Sequence, residues 1–130
     1  MYSVNDIEVF IASHNRPQFI EETIKSFLVQ SVKGLHITVL DNSDNADVIN
    51  RLADYKKNGV EVIPANKNEP DGMNNFARAR NLANKKWVMI FHDDDIIHPQ
   101  FMEHILSVIN KSNPELVASF TEVTIAPSDE

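Results

Sequence analysis

Cysteine is absent from the 130-residue sequence, which excludes disulfide bonds and thiolate metal sites. The three glycines, at positions 34, 59 and 72, are too scattered for a glycine-rich phosphate loop or a dinucleotide fingerprint. No apolar run approaches the ~20 residues of a membrane-spanning helix, and residues 1–6 lack the apolar core of a signal peptide. We therefore expect a cytoplasmic protein, which would reach the inner face of a membrane only through segments outside this sequence.

An excess of positive charge is also missing. The 12 lysines and arginines are outnumbered by 19 aspartates and glutamates, for a formal net charge of -7. Nucleic-acid-binding proteins need basic surfaces to neutralise phosphates, so we expect no nucleic-acid partner. A small phosphorylated ligand stays compatible with this charge, because a divalent metal ion can bridge carboxylates to phosphate.

Short apolar runs rich in β-branched residues alternate with amphipathic stretches along the chain. The runs predict strands at 7–12, 35–40, 60–63, 87–91 and 116–125. The amphipathic stretches predict helices that begin at Pro17, cover 48–53 and 74–84, and begin again at Pro99. This alternation predicts an α/β fold, a three-layer α/β/α sandwich with a mainly parallel sheet. We expect one α/β domain over 1–125 and a frayed tail over 126–130.

Polar residues follow three of the predicted strands, where ligands bind in parallel α/β sheets. They are Ser13-His14-Asn15-Arg16, Asp41-Asn42 and His92-Asp93-Asp94-Asp95. His14 fits either stacking on a base or an ordinary surface position. Arg16, Arg78 and Arg80 are candidates for phosphate contacts, although an arginine on a helix is commonly just solvated.

The run Asp93-Asp94-Asp95 is the strongest chemical signal in the chain. Three adjacent carboxylates repel one another, and a hard divalent cation such as magnesium or manganese would relieve that repulsion. A loop that caps the following helix fits the run equally well. Asp41 fits recognition of a base or ribose, and it also fits a simple turn.

Several blocks, taken in order, resemble family 2 glycosyltransferases, which have the GT-A fold with a Rossmann-like nucleotide-binding half. The first strand and its loop are similar to that family's opening, and the Gln-Ser after the first helix is similar to its helix end. The second strand running into Asp41 and the acidic strand end before His98-Pro99 also resemble family motifs. The blocks concerned are 7–17, 27–31, 37–43 and 87–99.

The resemblance implies roles for individual residues. It places Ala12, Ser13 and His14 around the nucleotide base, with His14 where the family has a stacking tyrosine, and Asp41 where a carboxylate recognises the base. It implies a ribose contact for Asp93, a metal ligand holding the diphosphate for Asp94, and a further metal ligand for Asp95. The implied cofactor is manganese or magnesium. The nucleotide site so implied comprises Ala12, Ser13, His14, Arg16, Asp41, Arg80 and Asp93.

The sequence also departs from the family pattern. His92 replaces a common Asp, and the Phe76–Asn81 stretch lies about four residues closer to the acidic strand than the family's Ala-Arg-Asn helix, so either Arg78 or Arg80 could meet phosphate. No residue matches the family's general base, and we expect the acceptor-binding half to be absent.

The implied function is the donor domain of a polysaccharide-building, inverting glycosyltransferase. It would bind a UDP, GDP or dTDP sugar and transfer the sugar to a glycan or a lipid-linked acceptor. The alternatives are a non-catalytic nucleotide-binding fragment or module and a phosphoacceptor receiver domain. A receiver domain needs an acidic pair after its first strand, where this chain has Ser13-His14-Asn15.

Overall fold

A computed structural model describes residues 1–68 and 74–112 of the chain. Its strands and helices alternate as the sequence predicts. In chain order they are β1 (Ile7–Ser13), α1 (Pro17–Leu28), β2 (Ile37–Asp41), α2 (Asp47–Leu52), β3 (Val60–Pro64), α3 (Asn75–Leu82), β4 (Trp87–His92) and α4 (Phe101–Ser112). Short 3-10 helices, Val4–Asp6 and Ala53–Asn58, precede β1 and β3.

The four strands form one parallel sheet in the order β3-β2-β1-β4. Their carboxyl ends lie level with one another. Ser13 pairs with Asp41 across β1 and β2, and Ala12 pairs with His92 across β1 and β4. The register therefore brings the three polar strand ends to one edge of the sheet, as predicted.

Helices cover both faces of the sheet, so the predicted three-layer α/β/α architecture is confirmed. Alternate residues of β1 point to opposite faces, as in any strand. Ile7, Val9 and Ile11 pack with α1, α2 and α4 in the larger core cluster. Phe10 faces the other way and packs with Leu40 and Ala79 of α3. The chain leaves β2 toward the face covered by α2 and leaves β3 toward the opposite face, covered by α3, and ligands of parallel α/β sheets bind where neighbouring strands diverge in this way.

The helix boundaries follow from simple local rules. Pro17 is the first residue of α1, where its missing N–H costs no hydrogen bond, and Ile20, Ile24 and Phe27 are buried at helical spacing. The predicted start of α4 at Pro99 was wrong by two residues. Pro99 lies in a turn in which its carbonyl accepts the Ser31 N–H at 2.8 Å, and the helix begins only at Phe101.

Some sequence predictions fall on residues that the structure does not describe. The fifth strand at 116–125 and the tail at 126–130 lie outside the described residues, as does the domain boundary at 125. Within residues 1–68 and 74–112, no helix is long and apolar enough to cross a membrane.

Gly59 holds the entry to β3 in a left-handed conformation with φ +85°, and a Cβ there would lie 3.0 Å from the Leu35 carbonyl oxygen. Gly34 has a similar φ of +91°, but its Cβ would meet only the Val4 side chain at 3.7 Å. We predict that Gly34→Ala lowers the free energy of unfolding by about 1 kcal/mol and Gly59→Ala by about 2 kcal/mol or more. Urea denaturation measures both values, and equal losses would show that the contact with Leu35 adds no cost.

Candidate functional site

Hydrogen bonds tie the loops after β1 and β2 together at the level edge of the sheet. The Asn42 N–H donates to the Ser13 carbonyl at 2.9 Å, which extends the strand pairing by one step. The His14 ring then reaches back across the two loops, with Nδ1 2.9 Å from the Asn42 carbonyl. Since a carbonyl only accepts, Nδ1 carries the proton in this contact. His14 is exposed and its ring is held in one place, as a stacking surface requires.

Asn15 completes the connection between these two loops. Its backbone is left-handed, with φ 53°, which asparagine tolerates better than most residues. Its N–H donates to Ser43 Oγ at 2.8 Å, and its amide group both donates to Asp44 Oδ2 at 2.8 Å and accepts the Asp44 N–H at 2.9 Å. From the sequence alone we assigned Asn15 no role of its own. The signal that could have indicated this role is an asparagine in a short loop between a strand and a helix, because asparagine favours left-handed backbone and hydrogen bonds to nearby loops.

Asp93 is turned into the protein and is only 1% exposed. The His14 N–H donates to its Oδ2 at 3.1 Å, and Thr23 Oγ1 donates to its carbonyl at 2.9 Å. Arg16 Nη2 lies 2.7 Å from Oδ1, close enough for an ion pair, although the approach is not aligned as a hydrogen bond. The residue that the resemblance assigns to the ribose thus joins the loops after β1 and β4.

The other two aspartates of the run have separate surroundings. Asp94 is about half exposed, at 51%, and its Oδ2 meets Arg16 Nη1 at 3.4 Å. Asp95 closes a turn on the end of β4, because its Oδ2 accepts the His92 N–H at 2.9 Å and its own N–H donates to the His92 carbonyl at 3.2 Å. Asp94 is therefore the carboxylate of the run that presents itself most openly to a ligand.

A buried polar stripe on α1 supports the acidic run from behind. Thr23 and Ser26 lie on α1, Gln30 follows two residues after its end, and all three are buried. Ser26 Oγ accepts the Ile97 N–H at 3.3 Å. Gln30 donates to the carbonyls of Ser26 and His98 and accepts the N–H of Met102, at 2.8–2.9 Å. The stripe fixes the chain between β4 and α4 from the side opposite to solvent.

Asp41 lies at the centre of the edge and is 3% exposed. Its Oδ1 accepts the Ser43 N–H at 3.0 Å, and the described residues supply no hydrogen bond to its Oδ2. Ser13, its register partner, is 2% exposed and its buried Oγ has no hydrogen-bond partner among the described residues. Ala12 is half-buried on β1. Asp41 and Ser13 are therefore both buried at the edge, and each has a side-chain oxygen without a hydrogen-bond partner among the described residues.

Arg78, on α3, is the arginine that the structure brings to the end of β2 and β3. Its guanidinium donates to Asn42 Oδ1 at 2.7 Å, to Asn75 Oδ1 at 3.0 Å, and to the carbonyls of Ile63 and Pro64 at 2.7 and 2.9 Å. Burial lowers the pKa of Arg78, while the nearby Asp41 carboxylate opposes that shift.

Arg80, the arginine assigned to the nucleotide site by resemblance, is placed differently. Two residues along a helix turn the side chain by about 200°, so Arg80 cannot share the direction of Arg78. Arg80 is exposed and has no hydrogen bond or ion pair within the described part of the chain. Ala77 and Ala79 are buried, and Ala79 packs on the sheet beside Leu40, which sets this rotation of α3.

The donor chemistry at the edge suits a hard cation, but no complete cage is present. Among residues 1–68 and 74–112, no three His, Cys, Asp or Glu side chains are grouped to hold a metal ion. Asp94 and Asp95 supply carboxylate oxygens, which manganese and magnesium accept. Magnesium commonly takes only one or two carboxylates and completes its shell with water and phosphate oxygens. The arrangement fits a metal shared with a phosphorylated ligand.

We predict that Arg78→Met lowers the free energy of unfolding by about 2–3 kcal/mol, because it leaves two backbone carbonyls and the Asn42 side chain without a charged donor. Arg80→Met, two residues away on the same helix, is the matched control and should change stability by less than about 0.5 kcal/mol. Chemical denaturation measures both. Equal effects would contradict the assignment of Arg78 as the arginine that braces the strand ends.

Comparison with known proteins places this geometry in a family. A curated relative from Haemophilus influenzae, named as an uncharacterized glycosyltransferase, is 22% identical over 121 residues, covering 92% of this chain and 38% of its own length. The chain thus spans less than half of that relative. A Staphylococcus aureus TarS structure aligns with TM-score 0.70 and 17% identity over 82% of this chain and 20% of its own. TarS structures are also known with UDP and with UDP-GlcNAc.

A mannosyltransferase from Pyrobaculum calidifontis, solved with GDP-Man and Mn2+, aligns less closely, with TM-score 0.53 and 18% identity over 70% of this chain and 28% of its own. These likenesses confirm the GT-A type of α/β fold. The model for the family described as Glycosyl transferase family 2 matches residues 8–129, nearly the whole sequence. This match excludes the alternative of a receiver domain. The chain therefore belongs to glycosyltransferase family 2.

Proposed function

We propose that this chain is the donor-binding part of a glycosyltransferase and that it binds a nucleoside-diphosphate sugar together with manganese or magnesium. The observation that carries the proposal is the joining of three strand ends at one edge. His14, Asp41 and Asp94 come from separate parts of the sequence, and hydrogen bonds spanning 28 and 79 residues connect their loops. The UDP, UDP-GlcNAc and GDP-Man complexes of similar structures support a nucleotide sugar as the ligand class.

Each side chain at the edge has a task that its surroundings suit. The Oδ2 atom of Asp41 is the acceptor for an N–H of the base or a hydroxyl of the ribose. The fixed ring of His14 offers a flat surface to the base. Arg16, 44% exposed beside the acidic run, is the cation placed to meet the diphosphate. Asp93 acts from below by holding Arg16 and the backbone of His14 in position.

The proposed metal ligands are Asp94 and the Asp95 oxygen that His92 does not use. Bound there, the cation would act as a Lewis acid that stabilises the charge developing on the leaving diphosphate. The residues of the chain orient the donor so that its anomeric carbon faces the acceptor. We assign no catalytic base to the described residues.

The proposed transfer balances as a single displacement. An acceptor hydroxyl oxygen forms a bond to the anomeric carbon as the bond from that carbon to the phosphate oxygen breaks, with inversion. The electron pair leaves with the nucleoside diphosphate, and the hydroxyl proton passes to a general base, which we expect in the acceptor-binding half. The proposal includes a hexose or related sugar, a glycan or lipid-linked acceptor in polysaccharide synthesis, and a cytoplasmic location.

Calorimetry with UDP, GDP and dTDP and their sugars, with and without manganese, tests this proposal. We expect one nucleotide series to bind in the presence of metal. Asp94→Asn should weaken that binding on the order of tenfold or more, since it removes the most accessible metal carboxylate. Asp54→Asn removes the same charge from an exposed position in the 3-10 helix before β3 and is the matched control.

Two results would contradict the proposal. Binding of no nucleotide under either condition would refute a donor site at this edge. Equal affinities for the wild type and Asp94→Asn would refute the assignment of the metal to Asp94. Binding without sugar transfer in an acceptor assay would identify the chain as a donor-binding module that needs the rest of its protein for catalysis.

A further inference from the structure

Arg16 stands between a buried carboxylate and an exposed one. Nη2 lies 2.7 Å from Asp93 Oδ1, and Nη1 lies 3.4 Å from Asp94 Oδ2. The side chain of Asp93 is 1% exposed, whereas that of Asp94 is 51% exposed. One guanidinium therefore makes two contacts of unequal length in unequal surroundings.

The two contacts differ in strength for a physical reason. A buried carboxylate that loses its cation is left uncompensated in a medium of low dielectric, so the contact with Asp93 is costly to break. An exposed ion pair at 3.4 Å is screened by water and salt and adds little stability. Asp93 thus anchors Arg16, and the contact with Asp94 is the one that a competing ion can displace.

The contact with Asp94 also affects what that carboxylate can bind. Arg16 takes up Oδ2 of Asp94 and adds a positive charge beside it. A divalent cation approaching Asp94 alone meets that charge and must compete for the oxygen. A diphosphate arriving at the same edge offers Arg16 a bidentate anionic partner, which guanidinium groups favour.

We propose that Arg16 makes metal binding at Asp94 depend on the nucleotide. Held by Asp93, Arg16 occupies Asp94 while the site is empty of diphosphate and exchanges Asp94 for the diphosphate oxygens when the donor binds. Asp94 is then released to the metal ion, and the two ligands bind cooperatively. This inference rests on the proposed function and adds to it an order of preference: the metal alone binds weakly, and the metal with nucleoside diphosphate binds well.

Thermodynamic reciprocity makes the inference measurable. If the nucleotide raises the affinity for the metal by some factor, then the metal raises the affinity for the nucleotide by the same factor. We expect a factor on the order of tenfold in the wild type. Arg16→Lys should reduce it, because a lysine can serve Asp93 as a point charge but cannot span both carboxylates.

The test is titration of Mn2+ into the protein, followed by the electron paramagnetic resonance of the free ion, with and without UDP. Arg16→Lys should bind Mn2+ alone several-fold more tightly than the wild type, and its gain from UDP should be smaller. The double variant Arg16→Met with Asp93→Asn removes the guanidinium together with the buried charge that it compensates. It should give the same gain in affinity for Mn2+ alone. Arg51→Lys, which alters the surface pair with Glu21, is the matched control and should bind as the wild type does.

Adding Asp94→Asn to Arg16→Lys should abolish the gained affinity for Mn2+, because the released carboxylate is then gone. Equal Mn2+ affinities of the wild type, Arg16→Lys and the Arg16→Met/Asp93→Asn double variant would overturn the inference, whatever UDP does. A gain for Mn2+ alone, with no binding of UDP, GDP or dTDP to any of these proteins, would leave the Arg16–Asp94 competition standing and refute the proposed donor site. The two failures are therefore distinguishable.

Discussion

The buried carboxylate of Asp93 is the constraint on which the arrangement of the site depends. A charge that is 1% exposed must be compensated, and the compensation comes from the Arg16 guanidinium and the His14 N–H. Both lie in the loop after β1, whereas Asp93 follows β4. The need to satisfy one carboxylate therefore fixes the position of the loop that carries the exposed His14 ring.

This constraint divides three chemically identical neighbours into three different groups. Asp93 points inward and supports the loops, and Asp95 folds back on the end of β4 through the His92 N–H. Asp94 alone keeps a half-exposed carboxylate. Mutual repulsion along the run is reduced by this divergence and by the contacts of Arg16 with Asp93 and Asp94.

Much of the fold could be predicted because its signals are local. Apolar runs alternating with amphipathic stretches predicted the order of strands and helices, and Pro17 predicted the start of α1. Because the strands are parallel, Asp41 and the acidic run had to lie at the same edge of the sheet. The burial of the Asp93 side chain could not be predicted from the sequence, because three adjacent aspartates look alike there. Which of them points inward is decided by the contact with Arg16, which forms only in the folded chain. Family resemblance added Asp94 as metal ligand, which stays a prediction.

Which of Arg78 and Arg80 meets the strand ends could not be predicted from the sequence either. Helical spacing places the two arginines on different sides, but the side that meets the strand ends is decided by Ala79 packing beside Leu40. That packing depends on contacts between distant segments, which no local pattern contains.

The edge is consequently braced from both faces of the sheet. On one face Arg78 donates hydrogen bonds to the carbonyls of Ile63 and Pro64. On the other face the buried polar stripe, which includes Thr23, holds the chain that carries the acids. With this backbone secured from both sides, a ligand would need to order little of the loops that follow β1, β2 and β4. Its binding free energy would then go into contacts with acceptors that retain capacity among the described residues, such as the Oδ2 of Asp41, the exposed carboxylate of Asp94 and the Asp95 oxygen that His92 does not use.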